Sequence, residues 1–213
     1  TLSPNFKLAD AVKTLENIAK ENIPPYIKFS LTGEAKSFLE SKGKTIFTFA
    51  LAMLFIYLVL VAQFESFIDP LIILLTVPFA VVGAVLTLKL FGGSFNIYSN
   101  IGLITLIGLI AKHGILITEF ANRERRNGKS IYEAIQIACL LRLRPILMTT
   151  AAMVLGALPL ALALGPGSES RQQVGLVITG GLLFGTFFSL IVVPITYSYL
   201  SPFRKLEAMD RVT

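Results

Sequence analysis

Apolar and polar residues alternate along this chain in long blocks, not in the short periods of a soluble domain. Five predominantly apolar runs are each long enough for a helix to cross a bilayer core, which takes about 20 residues. Four of these runs contain charge-free stretches of 19 residues or more. We therefore predict a mainly α, polytopic membrane protein with five transmembrane helices, at residues 45–63, 70–90, 98–120, 145–164 and 174–200.

Residues 1–44 have a different pattern, in which charges are frequent and apolar positions recur at short intervals. Asn5–Lys20 has the spacing of an amphipathic helix, and Tyr26–Leu31 alternates like a strand. So small a unit cannot bury a core of its own. Because position 1 is not methionine, we expect a small α/β remnant of a larger water-exposed domain, at the start of the C-terminal piece of a longer protein.

Composition and charge agree with a membrane protein. Charged residues make up 15% of the chain, against about 25% in soluble domains, and the mean hydropathy is +0.73. The net charge of +6 does not indicate nucleic-acid binding, because most basic residues alternate with acids in residues 1–44 or flank apolar runs. The positive-inside rule places the basic loop at 121–144 and the tail at 201–213 in the cytoplasm, and residues 1–44 outside it.

The loop at 121–144 also contains a helix start signal. Ser130 and Glu133 have the spacing of a capping box, in which each side chain bonds the other residue's backbone N–H. We predict a helix over residues 130–141 along the cytoplasmic face.

Lys112 lies well inside the third apolar run. A cation at the bilayer centre costs about 2.5–3.5 kcal/mol even on insertion scales, so it must face protein or water. Helical spacing puts Thr105, Gly108, Lys112 and Glu119 on one polar stripe. Lys112 either locks helices in a structural ion pair or changes partner or protonation state during transport, the commoner role for an ionisable residue within the membrane. Glu119 can be solvated or paired with Arg123.

Arg142 and His113 have competing structural interpretations. Arg142 lies at the cytoplasmic start of the fourth run, where a basic residue ordinarily anchors topology. It shares a helix face with Thr149, seven residues on. His113 points about 100° away from Lys112 and is more typical of a helix contact than of a proton carrier.

Small residues predict close packing between helices. Gly181 and Gly185 form a small-xxx-small pair in the fifth run, and Gly108 lies in the third. Glycines at such positions let two helix backbones approach closely. We predict helix–helix contacts at all three.

Catalytic motifs do not occur in the sequence. There is no Walker motif, no Cys/His spacing for a metal and no nucleophile triad, and the single Cys139 cannot form an internal disulfide. We therefore expect no enzyme activity, no cofactor and no metal site.

Two segments resemble motifs of the resistance–nodulation–division superfamily. Residues 108–121 (GLIAKHGILITEFA) are similar to its tenth-span signature, and residues 142–150 (RLRPILMTT) to its eleventh span. Residues 60–67 and 77–79 resemble the end of its eighth span and its ninth. The resemblance covers essentially the whole chain, and the branch is the hydrophobe/amphiphile efflux group, the multidrug pumps of Gram-negative bacteria.

The resemblance implies that these are the last five of twelve spans of an inner-membrane homotrimer, surrounded by membrane lipid. Such pumps join a periplasmic adaptor and an outer-membrane channel, and residues 1–44 correspond to the tail of a periplasmic porter subdomain. In the family, a pair of aspartates on the fourth span takes up protons beside a lysine, an arginine and a threonine, which correspond to Lys112, Arg142 and Thr149. The aspartates lie outside this chain, which implies dependence on an N-terminal half.

These inferences predict the C-terminal membrane part of a secondary active transporter, which exports hydrophobic or amphiphilic drugs by proton antiport and uses the proton-motive force in place of a cofactor. Thr105, Glu119 and His113 are candidate neighbours of the relay, and His113 stands where the family usually has asparagine. The chain alone is expected to be inactive.

One alternative is a related exporter of metals or lipids, although the methionines are scattered (Met53, Met148, Met153, Met209). The other is a non-transporting membrane scaffold, which would not need Lys112 within the membrane.

Overall fold

The computed structural model describes residues 34–165 and 167–203, together with Thr14 and Ile18. The predicted strand at 26–31 and the tail at 204–213 lie outside the described residues, and only Thr14 and Ile18 of the predicted helix at 5–20 are described, both helical. The chain divides into two compact units, Thr1–Phe49 and Ala50–Thr213. All contacts discussed below lie within the second unit.

The described residues form six helices and a terminal 3-10 turn. In chain order these are α1 (Glu34–Phe64), α2 (Ile68–Leu74), α3 (Val77–Leu90), α4 (Ile97–Arg126), α5 (Ile131–Ala161), α6 (Ser168–Leu200) and the turn Ser201–Phe203. Five segments are long and apolar enough to cross a membrane: Ile46–Phe64, Ile68–Leu90, Ile97–Arg126, Ile131–Ala161 and Ser168–Leu200. The prediction of a mainly α, polytopic membrane protein with five spans is therefore confirmed.

The second span is broken into two helices, which the sequence pattern did not separate. α2 ends at Leu74 and α3 begins at Val77, with Leu75 and Thr76 between them. Pro78, in the first turn of α3, has no N–H to donate to the carbonyl four residues earlier, so a continuous helix would lose a bond there. The Thr76 hydroxyl donates to the carbonyl of Ile73 at 2.7 Å, a side-chain hydrogen bond at the break itself.

The fourth span differs from its predicted bounds. The predicted capping box is present, with Ser130 Oγ accepting from the Glu133 N–H at 3.3 Å and Glu133 Oε2 accepting from the Ser130 N–H at 3.2 Å. The helix does not stop near residue 141 but continues through Pro145 to Ala161. Ala138 and Ile146, on either side of the expected break, belong to one buried cluster. Their shared packing offsets the loss of the backbone hydrogen bond at Pro145.

α6 is the helix around which the others pack, since it contacts α2, α3, α4 and α5. One buried cluster joins Ile72 of α2, Ile117 of α4, Ile146 of α5 and Tyr197 of α6. Large apolar side chains also cover outward faces of the bundle, where a lipid-facing surface requires them. Examples on four helices are Leu54, Phe55, Leu58, Val82, Leu147 and Phe187.

Candidate functional site

α4 carries the predicted polar stripe, and its start is fixed by local hydrogen bonds. Asn96 caps the helix, its side chain accepting from the N–H groups of Tyr98 at 3.0 Å and Ser99 at 3.1 Å. Ser99 Oγ in turn accepts from the Asn96 N–H at 2.7 Å. This reciprocal cap satisfies N–H groups that the first turn of a helix leaves unpaired.

The stripe lies on a face of α4 that the described helices leave open. Thr105, Gly108, Lys112 and Glu119 are all exposed, although α4 is otherwise among the most buried spans. Lys112 forms no hydrogen bond or ion pair within the described part of the chain, and Glu119 forms none with Arg123 there. A charge in this position must face protein or water if the span lies in a bilayer. The open face is therefore suited to contact polar protein groups or water.

Arg142 of α5 lies against the C-terminal half of α4. Its guanidinium carbon is 4.8 Å from the centre of the Phe120 ring of α4, a cation–π distance. The Arg142 Nε atom is buried and has no hydrogen-bond partner among the described residues. Arg142 and Glu119 both line an open cavity of about 520 Å³. Its other walls are formed by Gln63, Phe64, Glu65, Phe120, Asn122, Arg123 and Arg126.

Thr149 is half-buried on α5, next to the buried Thr150. Its hydroxyl donates to the carbonyl of Ile146 in its own helix at 3.1 Å. Within residues 34–165, no hydrogen bond or ion pair joins Lys112, Arg142 and Thr149 to one another. Of the predicted site residues, the structure therefore brings Glu119 and Arg142 together around one cavity and leaves Lys112 on the open face above.

His113 lies on the other side of α4 from the open face and is completely buried. Its Nε2 atom is 3.3 Å from the hydroxyl of Thr150 on α5, and its Nδ1 atom is 3.4 Å from the hydroxyl of Thr186 on α6. The two hydroxyls are 3.2 Å apart. The three side chains thus form a closed polar triangle that joins three helices.

A second buried polar network was missed by the sequence analysis. Asp69 of α2 is fully buried, and its Oδ2 atom accepts from the side-chain amide of Asn122 on α4 at 2.8 Å. The hydroxyl of Tyr197 on α6 donates to Asn122 Oδ1 at 2.7 Å, and Arg125 bonds the hydroxyl of Ser201 nearby. Asp69 lies just before the predicted span at 70–90, although an acid directly before a proline at the start of an apolar run is a helix-start signal that could have identified it.

The predicted packing glycines behave in two ways. A Cβ atom added to Gly181 would overlap Leu106 of α4, and one added to Gly185 would overlap Ile110 of α4 and Ala80 of α3. α6 therefore lies close against its neighbours at both positions. The contact expected at Gly108 is absent among the described residues, where open space surrounds it, because it lies on the uncovered stripe.

Metal binding receives no support from the side chains whose placement is described. Within residues 34–165 and 167–203, no three His, Cys, Asp or Glu side chains are grouped so that they could hold a metal ion. Among the described residues, the site is a set of charges and hydroxyls on helices.

Comparison with known proteins identifies the family. A sequence model of the AcrB/AcrD/AcrF family matches residues 1–201. A Haemophilus influenzae protein named "Uncharacterized transporter" is 46% identical over 209 residues, which are 95% of this chain and 20% of that protein. The multidrug resistance proteins MdtC of Serratia proteamaculans and Edwardsiella ictaluri are each 40% identical, over 209 and 205 residues, again 95% of this chain and 20% of theirs. The chain spans about a fifth of the length of these curated relatives. It belongs to the AcrB/AcrD/AcrF family, within the resistance–nodulation–division transporters.

Proposed function

We propose that this chain is part of the membrane domain of a proton-driven efflux transporter that exports hydrophobic or amphiphilic compounds. Family membership supports a transporter, and the MdtC relatives are named as multidrug resistance proteins. The observation that carries the proton-driven part is Lys112, a charged side chain in a predicted span that is exposed on the open face of α4. A cation held there without a partner in its own segment needs a carboxylate supplied from elsewhere.

The proposed mechanism is an exchange of ion pairs. When the facing carboxylates are charged, Lys112 pairs with them, and when they bind protons the pairing is lost. The resemblance supplies these carboxylates as two aspartates on another span. The other members of the relay are Thr149 and Arg142, whose Nε has no hydrogen-bond partner among the described residues and which borders the open cavity. Loss of the ion pair changes how α4 packs, and this change drives substrate export.

Assembly and location follow from the same proposal. The transporter lies in the bacterial inner membrane with residues 1–44 on the periplasmic side and the loop at 127–130 in the cytoplasm. The remainder of the polypeptide covers the open face of α4. A homotrimer that joins a periplasmic adaptor and an outer-membrane channel completes the export route.

Removal of the Lys112 charge is the direct test of this function. Lys112→Ala is expressed in the complete transporter polypeptide to which we assign this chain, in a bacterial strain without its own efflux pumps. Breaking a buried ion pair by removing one partner costs about 3–5 kcal/mol, which corresponds to a loss of about 100-fold or more in export rate. Export of a fluorescent amphiphilic dye is measured before and after a protonophore is added.

Lys89→Ala provides a matched control. Lys89 is also an exposed lysine, but it lies in the last turn of α3 at the end of its span. We expect dye export to continue within about twofold of the wild-type rate, since exposed substitutions change little. If Lys112→Ala exports dye at the wild-type rate, or if the protonophore has no effect on wild-type export, the proposed function is wrong.

A further inference from the structure

His113 and Lys112 are neighbours in sequence but point in different directions from α4. Lys112 is on the open face, whereas His113 is fully buried among α4, α5 and α6. Because both side chains leave the same turn of one helix, any rotation of α4 that moves one must move the other. The polar contacts of His113 therefore bear on where the Lys112 ammonium can reach.

The triangle of His113, Thr150 and Thr186 satisfies its hydrogen-bonding groups only when the imidazole is neutral. A neutral imidazole has one N–H donor and one acceptor nitrogen, and a hydroxyl can donate one bond and accept others. If Nδ1–H donates to Thr186, the Thr186 hydroxyl donates to Thr150, and the Thr150 hydroxyl donates to Nε2. The other tautomer closes the same ring in the opposite direction. An imidazolium has two donors and no acceptor, so the hydrogen of one of the two hydroxyls has no acceptor left within the triangle.

The ring is a strong local constraint because it lies in a packed interior. All three residues are buried, at 5% exposure or less, where polar groups that lack a hydrogen bond are costly. Any rotation of α4 against α5 or α6 opens at least one side of the triangle. One helix orientation is therefore favoured, and in that orientation Lys112 points out of the described bundle.

We propose that His113 is a positioning residue for Lys112. As a neutral imidazole bonded to Thr150 and Thr186, His113 fixes the rotation of α4 so that Lys112 meets its carboxylate partner. This inference rests on the proposed function, because it gives Lys112 a partner beyond the described helices. It assigns no proton transfer to His113 itself. Asparagine offers the same combination of donor and acceptor, whereas leucine offers neither.

Other titratable groups do not take part in the triangle. None of the titratable side chains on the helices around α4, within the described residues, is a hydrogen-bond partner of His113; these are Tyr57, Asp69, Lys89, Tyr132, Glu133, Cys139, Arg142, Arg144, Glu169, Arg171, Tyr197 and Tyr199. The facing groups on α5 and α6 are the Thr150 and Thr186 hydroxyls. The charged neighbour of the ring is Lys112 on its own helix. Changes in the pH dependence of variants of the triangle thus report on the Lys112 site.

The test compares four variants in the complete transporter. His113→Leu removes all polar contacts of the ring, and His113→Asn keeps one donor and one acceptor. Thr186→Val removes one ring hydroxyl with little change in shape. Thr196→Val is its matched control on α6, because the Thr196 hydroxyl donates only to Val192 and Val193 carbonyls of its own helix.

Export rate, normalised to the amount of folded transporter, is measured across pH. We expect His113→Leu to lose about tenfold or more and Thr186→Val about fivefold, while His113→Asn and Thr196→Val stay within about twofold of wild type. In the two defective variants the pH midpoint of export moves upward by about one unit, because a carboxylate that loses a nearby cation binds its proton more tightly. A residue that is only structural would lower the amount of folded protein and leave the midpoint in place.

The inference is overturned if His113→Leu and Thr186→Val both export normally, if the midpoint does not move, or if His113→Asn is as defective as His113→Leu. Thr186→Val keeps the test decisive should His113→Leu fail to accumulate. Lys112→Ala separates this inference from the proposed function. If Lys112→Ala exports at the wild-type rate, the proposed function is wrong. If Lys112→Ala loses export while His113→Leu and Thr186→Val export normally, only the positioning role of His113 is wrong.

Discussion

Tyr197→Phe removes the Tyr197 hydroxyl from the buried network between α2, α4 and α6. The Tyr197 side chain is fully buried, and its hydroxyl donates to Asn122 Oδ1 at 2.7 Å. Phenylalanine keeps the ring and its packing but leaves the buried Asn122 oxygen without this donor. An unsatisfied buried acceptor costs about 1–3 kcal/mol. For a chain of this size, each kcal/mol lowers the melting temperature by about 2–4 °C.

The assay is thermal unfolding of the purified protein in nanodiscs, with Tyr199→Phe as the control. Tyr199 lies two residues further along the same helix, and 76% of its side chain is exposed. We expect Tyr199→Phe to change the stability by less than about 0.5 kcal/mol. Equal melting temperatures for the Tyr197→Phe and Tyr199→Phe proteins would show that the Tyr197 hydroxyl contributes nothing to stability beyond the packing of its ring.

Two further predictions concern packing and capping. Gly175→Ala should lower the melting temperature, since its Cβ would overlap the backbone of the α5 end at Leu160 and Ala161 and overpacking costs about 1–3 kcal/mol. Gly156→Ala, where the added Cβ meets open space, should stabilise α5 by up to about 1 kcal/mol; equal effects of the two substitutions would contradict the packing argument. Ser130→Ala should cost about 1 kcal/mol and speed hydrogen exchange in the first turn of α5 about fivefold, and unchanged exchange there would exclude a capping role.

The parts of the fold that depend on composition could be predicted from the sequence. The charge-free run at 45–63 corresponds to the candidate span Ile46–Phe64, and the run at 98–120 lies within α4. This works because a membrane span must be predominantly apolar over about 20 consecutive residues. The Ser130 capping box was also predictable, because it depends on residues three positions apart.

The parts that depend on contacts between helices could not be predicted. Asp69 looks like a connector residue in the sequence and becomes buried only because Asn122 of α4 lies against it. The polar triangle depends on residues 36 to 73 positions apart, which no local pattern relates. Helical spacing did place His113 and Lys112 on different faces of α4, but it could not reveal that one face is packed and the other open.

Proton flux through the transporter is the quantity that depends most directly on the proposed role of Lys112. The complete transporter is reconstituted into liposomes that contain a pH-sensitive dye, and the proton flux stimulated by an amphiphilic substrate is recorded for wild type, Lys89→Ala and Lys112→Ala. Wild type and Lys89→Ala should show substrate-stimulated proton flux at similar rates, and Lys112→Ala should fall to the level of empty liposomes. Substrate-stimulated proton flux through Lys112→Ala at the wild-type rate would show that Lys112 is not part of the proton relay.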